Sequence, residues 1–123
     1  MRIALLCLIC IVSLSCRATE PPGTVKHVVF CWLKTPGDES ARQRIIDETA
    51  KFRTIPGVVG VTAGRAVPST RPVVDSSFDV GLVITFRDEA ALKAYDTDPV
   101  HVKSRDEVLR PLSAKLLVYD IKK

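Results

Sequence analysis

The sequence predicts a single α+β domain in which four strands and two helical regions follow the order βαββαβ. Two observations support this prediction. Four β-rich runs are separated by segments that carry helical spacing or helix-start signals, and the 123 residues are 46% hydrophobic and 26% charged. This length and composition suit one globular domain, and they exclude a disordered, collagen-like or polytopic membrane protein.

The N-terminal segment indicates export rather than part of the fold. Arg2 precedes an uncharged, mostly apolar run at 3–15, which is too short for a comfortable bilayer span and typical of a signal peptide. The run ends at Cys16 in a pattern similar to the bacterial lipobox. We therefore expect a signal peptide at 1–15, and then an acylated Cys16 and a tether at 16–24, on an exported protein anchored by lipid in the bacterial cell envelope. A plain secretory signal or an uncleaved anchor is the alternative.

Cysteine usage agrees with an exported domain that its core alone must stabilise. Cys7, Cys10 and Cys16 lie in the signal or at its end, so Cys31 is the one cysteine of the folded part. A lone thiol cannot form an intrachain disulfide. Because Cys31 lies in an apolar strand, we expect it to be buried and inert.

The sequence of the first half of the domain predicts a strand, a helix and a second strand. A β-rich run at 25–33 ends at a Pro-Gly turn. Ser40 and Gln43 have the spacing of a capping box, which predicts Ser40 as the N-cap of an amphipathic helix of about 13 residues. The Ile-Pro-Gly sequence at 55–57 ends this helix. Two glycines within 58–67 predict a bent second strand.

The second half predicts a strand, two helical segments and a last strand. Asp88 and Asp98 are the helix-start signals, and proline follows Asp98 at the first helical position. The predicted bounds are, in chain order, a strand at 78–87, helices at 89–95 and 98–110, and a strand at 115–121. Together they predict a ferredoxin-like unit over 25–121, with helices on one face of an antiparallel sheet.

The first and third predicted strands are apolar on both faces, which predicts a homodimer. In the first strand, Val28, Phe30 and Trp32 alternate with residues that are equally apolar, whereas a sheet covered on one side should alternate apolar with polar. Exposing five or six large side chains would cost about 1.5–3 kcal/mol each. Two copies packed sheet to sheet in a dimeric α/β barrel would cover them and leave room for an apolar pocket between the sheets.

Five stretches, taken in order, resemble the stress-responsive A/B barrel (Dabb) domain family. The resemblance implies a dimeric α+β barrel that needs no cofactor. The family includes proteins without assigned chemistry and a polyketide cyclase, and cofactor-free monooxygenases use the same general barrel. The stretches that carry the resemblance are 25–29, 55–58, 82–86, 94–101 and 116–120.

The cyclase of this family supplies an expectation for individual residues. Its general-base histidine, in a Pro-x-His pattern, matches His101, and the tyrosine that orients its site matches Tyr95. Its third-strand histidine falls at Val80, so an apolar side chain replaces that polar group. The resemblance thus implies His101 and Tyr95 as candidate catalytic residues and Val80 as a candidate pocket residue. His27, the only other histidine of the chain, is a second candidate pocket residue.

The residue patterns also allow simpler roles for the same side chains. His27 lies mid-strand and could line the barrel with a satisfied hydrogen bond, and Tyr95 has the helical spacing of a core aromatic. His101 could bond a loop carbonyl at a helix start. In that position the helix dipole would lower its pKa, which also suits a general base.

Other chemistries lack support. There is no tight metal-binding spacing, P-loop, dinucleotide fingerprint or nucleophile elbow, so no metal site or cofactor is expected. The net charge of +4 comes without a basic stripe, so no nucleic-acid partner is expected.

Three functions remain open at this point. The first is a membrane-tethered binding protein whose inter-sheet pocket takes a small apolar or carbonyl-containing ligand. The second is a cofactor-free enzyme in which His101 removes a proton while Tyr95 or His27 holds a carbonyl or enolate oxygen. The third is a structural dimer that fills its own pocket. A pocket lined by both histidines would favour the second function over the third.

Overall fold

The computed structural model describes residues 19–123, so the predicted signal peptide and Cys16 lie outside the described residues. A 3₁₀ turn at Lys51–Thr54 extends the first α-helix, and a π-helical turn at Arg105–Leu109 joins the last two α-helices. Within the described residues, no helix combines the length and apolarity that a bilayer crossing requires. The elements are β1 (Val25–Leu33), α1 (Glu39–Ala50), β2 (Val58–Gly64), β3 (Val80–Phe86), α2 (Glu89–Tyr95), α3 (Pro99–Ser104), α4 (Arg110–Leu112) and β4 (Ser113–Lys122).

The four strands form one antiparallel sheet in the order β2-β3-β1-β4. This order, with the helices packed on one face, is the predicted ferredoxin-like α+β fold. The helix-covered face carries the odd-numbered side chains of β1 and the even-numbered side chains of β3, which form the core with α1, α2 and the final helical segment. The prediction that β1 and β3 are apolar on both faces is confirmed.

The opposite side of the sheet, here called the open face, has no helix over it among the described residues. Its side chains come from the even positions of β1 and from the residues paired with them on β3 and β4. The largest apolar members of the open face are Val28, Phe30, Trp32, Val83, Leu117, Tyr119 and Ile121.

The core divides into two clusters along the strands. One surrounds the buried thiol of Cys31, together with Val80 and Ile45. Desolvation raises the pKa of Cys31 to about 12, so the prediction of a buried thiol is confirmed. The other cluster contains Phe52 and Tyr95, and it supplies the surroundings of the candidate site.

Helix α1 begins two residues earlier than the Ser40 cap predicts, so that prediction is wrong. Asp38 is the N-cap, and its Oδ1 accepts a hydrogen bond of 3.0 Å from the backbone N–H of Ala41. Gly37 has a φ of +77°, which turns the chain so that Asp38 reaches the capping position first. An aspartate is as good a cap as a serine.

The chain before β1 is held against the end of β4. The N–H of Gly23 donates to the carbonyl oxygen of Lys123 at 3.1 Å, and the N–H of Lys123 donates to the carbonyl oxygen of Thr24 at 3.0 Å. The Nζ of Lys123 also donates to the carbonyl oxygen of Glu20 at 2.6 Å, and Glu20 pairs with Lys26 at 3.0 Å. This part of the predicted tether is therefore hydrogen-bonded to the residue that follows β4.

Candidate functional site

Three of the four predicted site residues meet beneath α2 and α3, on the helix-covered face. His27 projects from β1, Tyr95 ends α2, and His101 lies in the first turn of α3. The ring centroids of Tyr95 and His101 lie 3.9 Å apart and the rings are stacked, with an interplanar angle of 24°. The rings of His27 and Tyr95 meet edge to face at 5.6 Å. The structure therefore brings these three side chains into one aromatic cluster.

A tight turn between α2 and α3 produces the stacking of Tyr95 and His101. The N–H of Asp98 donates to the carbonyl oxygen of Tyr95 at 3.1 Å, and Asp98 then caps α3 by accepting from the N–H of Val100 at 2.8 Å. Proline at the next position starts the helix, as predicted. Phe52 closes the cluster, with its ring edge-on to both Tyr95 and His101.

His101 lies in an environment that favours the neutral imidazole. Burial lowers its pKa, and the nearby backbone carbonyls of Asp96 and Tyr95 oppose that effect only in part. The Nδ1 atom is buried and makes no hydrogen bond of good geometry within the described residues. The direction of the pKa shift agrees with the prediction, but desolvation rather than the helix dipole is its main cause.

Tyr95 is a buried phenol. Its exposed fraction is 2%, and burial raises its pKa well above the ordinary value. The side chain therefore stays protonated at neutral pH, so it can donate a hydrogen bond but cannot act as a base. The prediction of a core aromatic and that of a site residue are both compatible with this position.

His27 has a partner that the sequence analysis did not single out. Its Nδ1 lies 2.6 Å from Oδ1 of Asp120, because the register of β1 and β4 places the two residues opposite each other. A histidine whose one ring nitrogen is held by a carboxylate presents the other nitrogen in a fixed orientation. The only signal in the sequence is an acidic residue in an apolar strand, which is not enough without the strand register.

A surface cleft of about 420 Å³ opens beside this pair. Its walls come from β1, β4 and the outer side of α2, and they carry three carboxylates and one ammonium group. His27 thus faces a solvent-filled space, whereas Tyr95 and His101 are not part of its lining. The lining residues are His27, Glu89, Ala90, Leu92, Lys93, Asp96 and Asp120.

Val80, the fourth predicted site residue, does not join this group. It is fully buried in the core cluster around Cys31. In the register of β1 with β3, Val80 pairs with Cys31 and Ile84 pairs with His27. Four strand residues separate the two positions, which is about 13 Å. Val80 therefore lies in the core, apart from His27, and lines neither the cleft beside His27 nor the open-face pocket.

A second depression lies on the open face. It encloses about 170 Å³ and is mainly aromatic. Nε1 of Trp32, the only tryptophan of the chain, donates to Oγ of Ser77 at 3.0 Å, and Nζ of Lys115 lies 4.4 Å from the ring centroid. The lining residues of this open-face pocket are Phe30, Trp32, Asp75, Phe78, Leu117 and Tyr119.

The histidines and the open-face pocket lie on opposite sides of the sheet. His27 is at an odd position of β1, and successive side chains of a strand point to opposite faces. The open-face pocket therefore lies on the side of the sheet that does not carry His27. Among residues 19–123 no group of three side chains is arranged to hold a metal ion.

Solved structures share this fold. A Dabb family protein with a ferredoxin-like fold from Mesorhizobium loti is 25% identical, with a TM-score of 0.67 over 82% of this chain and 97% of its own. A dimeric protein of unknown function from Bacteroides fragilis is 20% identical, with a TM-score of 0.64 and the same coverage. The hydroxynitrile lyase of Passiflora edulis is 21% identical, with a TM-score of 0.67 over 84% of this chain and 95% of its own.

The sequence comparison agrees with the structural one. No curated protein matches the chain significantly. The family described as "Stress responsive A/B Barrel Domain" (Dabb) matches residues 25–123, which includes every strand and helix of the fold. The chain therefore belongs to the Dabb domain family.

Proposed function

We propose that this protein is an exported, lipid-anchored homodimer of the bacterial cell envelope that binds a small apolar molecule between the open faces of its two sheets. The observation that carries the proposal is the apolar open face with its aromatic pocket. The lipid anchor is proposed from the signal pattern that ends at Cys16.

The open face is costly to leave in water. Tyr119 and Ile121 are 53% and 57% exposed, and Phe30 and Trp32 are only partly buried. Apolar area contributes about 25 cal/mol per Å² when it is removed from water, and a continuous patch of this kind marks an interface. A second copy packed on the open face would remove it from water. The Bacteroides fragilis protein of the same fold is described as dimeric, which supports this arrangement.

The chemistry of the open-face pocket favours an apolar ligand. Aromatic and aliphatic side chains form most of its wall, and the carboxylate of Asp75 is its one charged group. A second sheet placed over the pocket would shield a ligand from water. We therefore expect a small, flat or short-chain molecule, with a carbonyl or hydroxyl group turned to the polar edge.

The test uses the chain from Arg17 onward in solution. Sedimentation velocity at micromolar concentration should give twice the monomer mass. The dye 1-anilinonaphthalene-8-sulfonate should bind saturably and quench the emission of Trp32 by energy transfer. Tyr119→Asp should abolish both results. Val59→Asp, an equally exposed apolar position next to Arg53 and outside the open-face pocket, should preserve them. A folded wild-type monomer, or no saturable dye binding, would contradict the proposal.

The anchor is tested separately in bacteria. Cys16→Ala should stop fatty-acid labelling and release the protein from membranes. Cys10→Ala, a cysteine within the predicted signal, should leave labelling unchanged. Labelling that persists in Cys16→Ala would refute the lipid anchor without affecting the dimer.

A cofactor-free enzyme is the second candidate function, favoured by the contact of His27 with Asp120 at the cleft. With Nδ1 held by Asp120, Nε2 of His27 is left to hold a carbonyl or enolate oxygen. The neutral His101 is the candidate base, with Tyr95 as a hydrogen-bond donor between them. Because Tyr95 and His101 do not line the cleft, a substrate bound there would first contact His27.

Proton abstraction can be measured without knowing the substrate. Exchange of the α-hydrogens of acetylacetone with deuterated water, followed by NMR, reports on a base that acts next to a carbonyl. Under the enzyme hypothesis His101→Phe and His27→Gln each slow this exchange at least tenfold. Lys51→Gln, an exposed change on the helical side and outside the cleft, leaves it unchanged. Exchange no faster than in buffer alone would remove this candidate function.

A further inference from the structure

The loop between β2 and β3, residues 65–79, exposes valines that its own chain does not cover. Val67 and Val73 are 79% and 82% exposed, the largest values among the large hydrophobic residues of the described chain. Val74 next to them is also exposed. A single exposed valine is ordinary, but three exposed valines on one loop beside an apolar sheet face need an explanation.

The position of Val73 within a turn makes its exposure more informative. The N–H of Val74 donates to the carbonyl oxygen of Arg71 at 3.0 Å, which closes a β-turn with Pro72 and Val73 at its centre. Proline is favoured at the first central position of such a turn. The second central position is typically polar or glycine, so a β-branched apolar residue is unusual there. The turn therefore presents an apolar side chain at the tip of the loop.

Hydrogen bonds within the loop fix its shape before any partner binds. The N–H of Arg71 donates to Oγ of Ser69 at 3.2 Å, and the N–H of Ser77 donates to Oδ1 of Asp75 at 2.9 Å. Such local turns lower the entropy that is lost when a surface is bound. The valines thus lie on a loop whose local turns are formed by its own hydrogen bonds.

The end of the loop is fastened to the open face. Ser77 accepts the hydrogen bond of Trp32, and the ring of Phe78 packs on Phe30 with centroids 4.8 Å apart. Asp75 lines the open-face pocket. The loop therefore stands at the rim of the surface that pairs with the second sheet. Packed sheets lie about 10 Å apart, so a second sheet packed on the open face would lie within reach of this loop.

We infer that the loop at 65–79 is a dimerisation arm whose valines pack on the second copy, so that each open-face pocket is completed by the partner subunit. The inference rests on the proposed homodimer and adds to it a composite site. Each protomer alone provides only an open depression, and the second copy supplies the missing wall.

The first experiment measures the dimer dissociation constant by sedimentation velocity over a dilution series. The double variant Val67→Ser with Val73→Ser should weaken the dimer at least tenfold while the circular dichroism spectrum stays native. Val59→Ser, which is 62% exposed and lies at the end of β2 remote from the loop, should change the constant less than twofold. If the double variant has the same dimer dissociation constant as the wild type, the inference that the loop is a dimerisation arm is wrong. If the wild type is monomeric, the proposed homodimer itself is wrong.

The second experiment locates the arm across the interface. One copy keeps Trp32, and the other carries Trp32→Phe together with a nitroxide spin label on Val73→Cys. The buried thiol of Cys31 does not compete for the label. Mixed dimers should show quenched Trp32 emission, and a label on Lys51→Cys, on the helical side, should not quench it. Intact mixed dimers with no quenching from position 73 would overturn the composite pocket.

Discussion

The rings of Tyr95 and His101 stack at a centroid distance of 3.9 Å, in the interior between α2, α3 and the sheet. The stack couples the protonation of His101 to the stability of the fold. Burial favours the neutral imidazole, whereas the same group in an unfolded chain titrates with an ordinary pKa of about 6.5.

Stability should therefore depend on pH through His101. Because the folded pKa is the lower one, the unfolded state binds the proton first as the pH falls. The contribution of His101 is fully present above the unfolded pKa and is lost as the pH falls toward the folded pKa. Urea unfolding at several pH values between 5 and 8 should show this slope, and His101→Phe should remove it. An equal slope in wild type and His101→Phe would contradict the prediction.

Gly57 should be intolerant of any side chain. It has a φ of +84°, and a Cβ built on it would lie 2.4 Å from Cβ of Ala91 in α2. Gly57→Ala should lower the free energy of unfolding by about 2–4 kcal/mol, from left-handed backbone strain and overpacking together.

Gly37 provides the matched control for this change. Its φ is +77°, but a Cβ there would meet nothing within 4 Å. Gly37→Ala should thus cost about 1–2 kcal/mol, the backbone part alone. Equal losses in the two variants would show that the contact with Ala91 has no effect.

Asp79 should stabilise the loop between β1 and α1. Its carboxylate accepts from the N–H groups of Leu33 and Gly37 and from Arg42. Burial acts to raise its pKa, but these donors outweigh burial and hold the pKa below the ordinary 3.8. Asp79→Ala should cost about 2–4 kcal/mol, because the donors lose their acceptor.

The same carboxylate should contribute to acid sensitivity. A lowered folded pKa means that the contribution of Asp79 is present above pH 4 or so and is lost as the pH falls through the folded pKa. Asp79→Asn should flatten the stability curve below about pH 4. If the variant and the wild type lose stability in parallel there, other carboxylates are responsible.

Replacing Asp120 should affect the exchange reaction of the enzyme hypothesis but hardly change the free energy of unfolding. Its side chain is about half exposed, and exposed pairs contribute about 0–1 kcal/mol. Asp120→Asn should thus leave unfolding almost unchanged. Under the enzyme hypothesis the same variant should slow acetylacetone exchange at least tenfold, because His27 loses its orienting partner. Unfolding measurements and the NMR exchange assay on one preparation decide between a structural and a positioning role.

Runs of apolar residues were sufficient to predict the strands of the sheet. The apolar neighbours of Cys31 in β1 predicted its burial, as observed, because side-chain direction in a strand is a local property. The cap of α1 was predicted less well than those of α2 and α3, since Asp38 and Ser40 can both cap a helix locally and the turn at Gly37 selects one.

The candidate site depended on information that is not local. The contact of His27 with Asp120 requires the register of two strands that are 93 residues apart in the chain, and register is set by the whole hydrophobic pattern. Similarly, the distance of Val80 from His27 follows from a strand geometry that a motif match does not contain. The sequence thus indicated which residues could form a site, but it did not predict which of them lie together in the fold.

The hydrogen bonds of Gly23 and Thr24 with Lys123 shorten the free segment between the proposed lipid anchor and the folded domain. Only residues 17–19 would remain between an acylated Cys16 and the first held residue, Glu20, a reach of about 14 Å when fully extended. The domain would stand directly over the bilayer surface, with the start of β1 nearest to it. Any pull on the anchor would pass into β1, a central strand bonded on both sides, and load it in shear.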